Sequence, residues 1–142
     1  MPKEYRNKVK SRAWIKRVIN GNTLLLFGGE RVKLIGVSPY KTKTSKKPSY
    51  YSGKEAFLFM KRTLEGKEIR LEFDLHRRDK GGQLLAYVYL LDGTFLNAEI
   101  IKQGYGFVNT RSPFKYLDAF TRFENKARRD YKGLWRKEDP TS

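Results

Sequence analysis

A chain of 142 residues can bury one sizeable core but not two, and its lack of cysteine excludes disulfides and thiolate zinc sites. Its net charge of +16 is segregated: residues 1–54 carry fourteen Lys or Arg against two acids, Glu4 and Glu30, whereas residues 55–142 carry seventeen against thirteen. A positive field concentrated in one half of the chain points to a polyanionic partner, with nucleic acid ahead of anionic membrane. No apolar run approaches the ~18 to 20 residues that cross a bilayer. The basic start Met-Pro-Lys-Glu-Tyr-Arg is followed by no apolar stretch, so neither a membrane span nor a secretory signal is expected, and an intracellular location is.

Residues 1–11 lack periodicity and read as a basic N-terminal arm ahead of a domain over 12–136, with a polar tail at 137–142. Arg12 to Ile19 alternates apolar with basic residues as a first strand, and Asn-Gly-Asn turns it into a second, Thr23 to Phe27. Gly28-Gly29 reverses the chain again into Arg31 to Val37. Pro39 to Tyr51 holds Lys41, Lys43, Lys46 and Lys47, flanked by Tyr40, Tyr50 and Tyr51. Phosphates could be followed by such lysines and bases stacked on such rings.

Ser52 followed three residues later by Glu55 is a capping-box pattern, and the apolar spacing predicts a helix from Ser52 to Leu64. Glu68 to Asp74 alternates as a strand, Arg77 to Gln83 is a turn, and Leu84 to Leu90 completes five strands. His76, the single histidine, cannot build a histidine-rich metal site and reads as a loop residue. Further helices are expected over Phe95 to Gln103, ended by Gly104, and over Phe114 to Tyr131.

The hairpin Val18-Ile-Asn-Gly-Asn-Thr with Arg31-Val-Lys-Leu-Ile-Gly-Val-Ser-Pro-Tyr40 resembles that of the staphylococcal nuclease family. The resemblance continues through Tyr51-Ser-Gly-Lys-Glu-Ala56, Arg78-Asp-Lys80, Leu84-Leu-Ala-Tyr-Val-Tyr89, Asn97-Ala-Glu99, Gln103-Gly-Tyr105 and Gly133-Leu-Trp135. It implies a five-stranded oligonucleotide/oligosaccharide-binding (OB) barrel with about three α-helices, an α+β fold. It also implies positions for the chemistry. The family's two metal-ligand Asp residues fall on Asn22 and Ser38, its two phosphate-clamping Arg residues on Lys33 and Gln83, and its general-base Glu on Tyr40 or Lys41.

Every one of those positions is changed. Calcium favours several carboxylates among its oxygen ligands, which Asn22 and Ser38 do not supply. Tyr and Lys titrate near ~10 and are poor bases at neutral pH. The expectation is therefore a catalytically inactive, nuclease-like module without cofactor that binds single-stranded RNA or DNA, alone or with the proteins of a ribonucleoprotein. Its contacts would come from Arg12, Lys16, Arg17, Lys33, Tyr40, Lys41, Lys43, Lys46, Lys47, Lys80 and Gln83. Two alternatives stand beside it. One is a metal-dependent phosphodiesterase with an altered site that uses Lys33, Tyr40 and a calcium ion held weakly by Asn22 and Ser38; the other is a protein-binding scaffold.

Overall fold

A computed structural model describes residues 10–39 and 50–136, with the side chains of 50–53 left aside. Five strands close into a barrel: β1 (Ser11–Asn20), β2 (Thr23–Leu26), β3 (Arg31–Leu34), β5 (Glu68–Glu72) and β6 (Leu84–Leu90), in the order β1-β2-β3-β6-β5. A short β4 (Val37–Ser38) pairs outside the barrel with β7 (Phe107–Val108). Helix α1 (Tyr50–Leu64) crosses from β4 to β5, α2 (Leu96–Lys102) follows β6, and α3 (Leu117–Arg129) ends in a 3-10 turn at Gly133–Trp135. No described helix is long and apolar enough to cross a membrane. The expected barrel with three helices is thus present.

Alternation explains the core. Ala13, Ile15 and Val18 of β1 point inward to Leu24, Val32, Ile69, Leu71, Ala86 and Val88, while Arg12, Trp14 and Lys16 point out. Met60 and Leu64 of α1, Leu96, Ile100 and Ile101 of α2, and Phe120 of α3 cover the open ends. Asn97 is fully buried among them and completely used. Its Oδ1 accepts from Val88 N, and its Nδ2 donates to Ile35 O and Ala86 O, tying α2 to both strands of the parallel seam. Any of those groups left unpaired costs about 1–3 kcal/mol, so the side chain fixes where α2 sits.

Two local expectations are corrected. Arg31 to Val37 is not one strand: Gly36 adopts φ +81°, and a Cβ there would lie 2.7 Å from the Phe114 ring. The chain turns at Gly36, so β3 ends at Leu34 and Val37 leaves the barrel to pair with Val108. β1, β2 and β3 run antiparallel in turn, and β3 then closes against β6 in parallel, with Lys33 beside Leu85. Finally, α1 begins at Tyr50 instead of Ser52, and the Glu55 carboxylate is bonded by a distant arginine. Both of its carboxylate oxygens accept from Arg136 Nη2, at 2.9 and 2.8 Å, which ties α1 to the end of the described chain.

A polar cluster closes the barrel on its β5–β6 side. The Tyr87 hydroxyl donates to Asp74, which also accepts from Lys115 N and Leu75 N; the Tyr89 hydroxyl donates to Glu72, which Lys115 Nζ approaches at 3.7 Å. Burial opposes the charge on Asp74, but the hydrogen bonds from Tyr87, Lys115 and Leu75 outweigh it and hold its carboxyl below the ordinary value. Burial, reinforced by Asp74, pushes the Tyr87 phenol up. A depressed carboxyl stabilises the fold fully above its unfolded pKa of about 3.9. That stability is lost as pH falls through the lower folded value. Asp74→Asn is expected to cost about 1–2 kcal/mol at pH 7 and to flatten the acid limb of stability against pH below about 4. Denaturant melts of both proteins at a series of pH values check this, and parallel acid limbs would refute it.

Candidate functional site

The β1–β2 turn, the β3 strand and the turn entering β6 meet at one end of the barrel. Asn20 Oδ1 accepts from Asn22 N, which shapes the first turn and carries Asn22 inward, where it is nearly buried. Its Nδ2 donates to Val37 O at 3.1 Å, and its Oδ1 accepts from the Thr23 hydroxyl at 3.1 Å. Because a carbonyl oxygen only accepts, this contact requires an amide nitrogen at Asn22 and not a carboxylate oxygen. Asn22 is therefore a brace that fastens the β1–β2 turn to β4.

Lys33 sits on β3 opposite Thr23 and beside Leu85 across the parallel seam. That seam brings the turn before β6 next to it. Asp79 anchors the turn: its Oδ1 accepts from Gly81 N and Gln83 N, both at 2.9 Å, and its Oδ2 lies 3.9 Å from Lys33 Nζ. Both side chains are part-exposed, Lys33 at 43% and Asp79 at 26%. The result is an ammonium and a rigidly oriented carboxylate side by side, each open to solvent. Other acids nearby are committed elsewhere: Glu30 is bonded by Arg78 Nη1 and Nη2, and Asp74 belongs to the tyrosine cluster.

The residues singled out from the sequence divide accordingly. Asn22, Lys33, Ser38 and the turn containing Lys80 and Gln83 come together at this end. Arg12, Lys16 and Arg17 lie exposed on β1; Arg12 is bonded to Glu68 at 2.7 Å. That bond and the charge of Glu68 hold the Arg12 guanidinium above its ordinary pKa. Tyr40, Lys41, Lys43, Lys46 and Lys47 lie outside the described residues. Asp79 carried no sign of a role in the sequence. The only hint was the Asp-x-x-x-Gln turn feeding a strand that the topology pairs with Lys33.

A calcium ion takes six to eight hard oxygens at about 2.3–2.6 Å. The described donors do not fit it. Asn22 is engaged at both ends of its amide, the neighbouring charge is the Lys33 ammonium, and no three of His, Cys, Asp and Glu gather among the described residues. The arrangement suits an anion better, since Lys33 can donate to a phosphate oxygen while Asp79 Oδ2 accepts from a water.

Comparison with known proteins now adds to this geometry. Residues 31–137 match the family model described as staphylococcal nuclease homologue. A thermonuclease of Staphylococcus intermedius is 34% identical over 125 residues, which is 85% of this chain and 74% of that protein. A thermonuclease of Staphylococcus hyicus is 32% identical over 84% of this chain and 72% of its own length. Endonuclease YncB of Bacillus subtilis is 32% identical over 87% of this chain and 61% of its own length. These relatives overturn the expectation that the chain is not an enzyme: proteins sharing about a third of its residues along most of its length are named for nuclease activity. That the resemblance expects acids at Asn22 and Ser38 and an arginine at Gln83 does not establish a protein without chemistry. The β-barrel, the order of its elements and the match over residues 31–137 place this chain in the staphylococcal nuclease homologue family.

Proposed function

We propose that this chain hydrolyses phosphodiester bonds in single-stranded nucleic acid at an altered site led by Lys33 and Asp79. The observation that carries the reading is the 3.9 Å approach of Lys33 Nζ to an Asp79 carboxylate whose other oxygen is pinned by two backbone N–H groups. At that distance the pair is loosely held, and a phosphate oxygen can take the ammonium without breaking a tight bond. The relatives' names supply the reaction class, and the basic N-terminal half supplies attraction for the substrate.

Lys33 holds a non-bridging oxygen of the scissile phosphate and stabilises the charge that gathers there as the phosphorus becomes five-coordinate. A water oriented by Asp79 Oδ2 attacks phosphorus and gives its proton to that oxygen. The P–O bond on the far side breaks, and the departing alkoxide takes a proton from solvent. Single strands suit the site because its parts lie on a barrel end and an outward strand face.

The test is a gel assay on single-stranded DNA and RNA with calcium, magnesium, manganese or EDTA. Asp79→Asn keeps the side-chain oxygen that accepts from Gly81 N and Gln83 N, so the turn survives. It is expected to lower cleavage by about 10²-fold or more, the typical contribution of a positioned base. Wild-type rates in the Asp79→Asn protein would overturn the assignment.

A further inference from the structure

The outer face of β1 and β2 carries a feature that hydrolysis at Lys33 does not use. Trp14 is 46% exposed and Phe27, at the start of the β2–β3 turn, is 63% exposed. They are partners across the two strands: Ile15 pairs with Leu26, and Phe27 N donates to Trp14 O at 3.1 Å. Since Ile15 is fully buried, alternation sends Trp14 to the outside. Among the described residues the other exposed large apolar side chains, Leu58 on α1 and Leu75, Leu91 and Tyr131 in loops, lie far apart along the chain.

The surroundings of this pair are cationic. Arg17 pairs with Leu25, and Leu25 pairs with Arg31, so one row of the outer face reads Arg-Leu-Arg next to the aromatic row. Arg17, Arg31 and the exposed Lys16 make no ion pair among the described residues. Acids beside these strands have partners of their own: Glu68 is held by Arg12 and Arg70, Glu30 by Arg78, and Glu65 accepts from Val18 N and lies 3.8 Å from Lys61 Nζ. The Arg12 guanidinium also lies 5.2 Å from the Trp14 ring, an arrangement in which a planar cation and an indole form one wall. Arg31 and Lys33 are two residues apart on β3, about 7 Å, so the cationic row leads directly to the proposed catalytic pair.

We infer that Trp14 and Phe27 form a stacking platform for the bases of a single strand whose backbone follows Arg17 and Arg31 away from Lys33. Exposed rings interleaved with cations are what a single strand recognises without regard to sequence, because every base has a π-face and every nucleotide a phosphate. The inference rests on the reading of Lys33 as the phosphate-holding group. It adds that the substrate is an extended strand of several nucleotides and not a dinucleotide.

The experiment measures anisotropy of fluorescein-labelled oligothymidylates of 4 and 12 nucleotides over a range of salt concentrations. The wild-type protein is expected to bind the 12-mer more tightly than the 4-mer by more than the number of overlapping registers explains. Trp14→Ala and Phe27→Ala are each expected to weaken the 12-mer by about 10-fold, with the slope of log affinity against log salt unchanged. Arg17→Ala or Arg31→Ala should instead make that slope shallower by about 1. Trp14→Phe, which keeps a ring, should retain most of the affinity and shows that the alanine variant fails by losing the ring.

Affinity within twofold of wild type in both alanine variants overturns the platform. So does a change of oligomeric mass at unchanged affinity, which would make the patch a contact between copies or with another protein. Cleavage unaffected by Lys33→Ala, together with weakened 12-mer binding in Trp14→Ala, would overturn the active-site reading and leave the platform standing. A wild-type protein that fails to bind the 12-mer would remove both.

Discussion

Lys33→Ala is expected to lower the turnover of single-stranded DNA by about 10²–10³-fold while leaving the protein folded. The size comes from losing the one ammonium placed at the scissile phosphate, where a preorganised charge typically contributes that much to rate. Survival of the fold follows from exposure. The Lys33–Asp79 contact is long and open to solvent on both sides, so its loss costs at most a few tenths of a kcal/mol, and the melting temperature should barely move. Most of the loss should appear in kcat, because ground-state affinity is spread over the cations of β1 and β3 while Lys33 acts where charge develops. Lys33→Arg keeps the charge and adds a second donor in a fixed fork, so it should retain or exceed wild-type turnover. Rates on one oligonucleotide across a substrate series separate kcat from KM. A Lys33→Ala protein with unchanged kcat would place the chemistry elsewhere.

Much of this arrangement could be read from the chain, and what could not has physical causes. Leu84 to Leu90 is a strand as expected, because apolar residues bounded by a glycine turn at either end leave few alternatives. Helices α2 and α3 fall inside their expected limits, since Gly104 and Gly133 take up the left-handed conformations that end or follow them. Gly36 was harder to read: strand alternation continues through it, and only the Phe114 and Phe120 rings, some eighty residues away, show why the chain must turn there. Glu55 fits the local capping rule, but its bond to Arg136 is one that local sequence does not encode. The arrangement around Lys33 is legible only in three dimensions for the same reason. Position by position, the substitutions at Asn22, Ser38 and Gln83 read as loss. The pairing of Lys33 with Asp79 depends on a parallel seam between strands about fifty residues apart, and Trp14 read as one more apolar strand residue until the register placed Phe27 beside it.

Asn22 makes the strongest prediction in the opposite direction, a gain. An Asp at this position would set a carboxylate oxygen against Val37 O in place of an N–H donor, inside a nearly buried turn. Asn22→Asp is therefore expected to cost about 1–3 kcal/mol when no divalent cation is present. Ser38 follows Val37 directly, so Ser38→Asp brings a second carboxylate to the same spot, and the two repel unless a cation lies between them. With calcium at 100 times its dissociation constant, binding returns about 2.7 kcal/mol to the folded state. The double variant should then melt higher with calcium than without it, whereas the wild-type protein should show no such difference, because its amide is engaged at both ends. Adding Lys33→Arg and Gln83→Arg supplies two planar forks for the phosphate beside the new ion. The fourfold variant is expected to cleave single-stranded DNA at least about 10²-fold faster than wild type, and only with calcium, since the cation would then polarise the phosphate. Thermal melts and cleavage rates, each with calcium and with EDTA, decide the matter. A fourfold variant indifferent to calcium in both would mean that Asn22 and Ser38 do not face a common site, and the placement of the catalytic end around Lys33 would have to be given up with it.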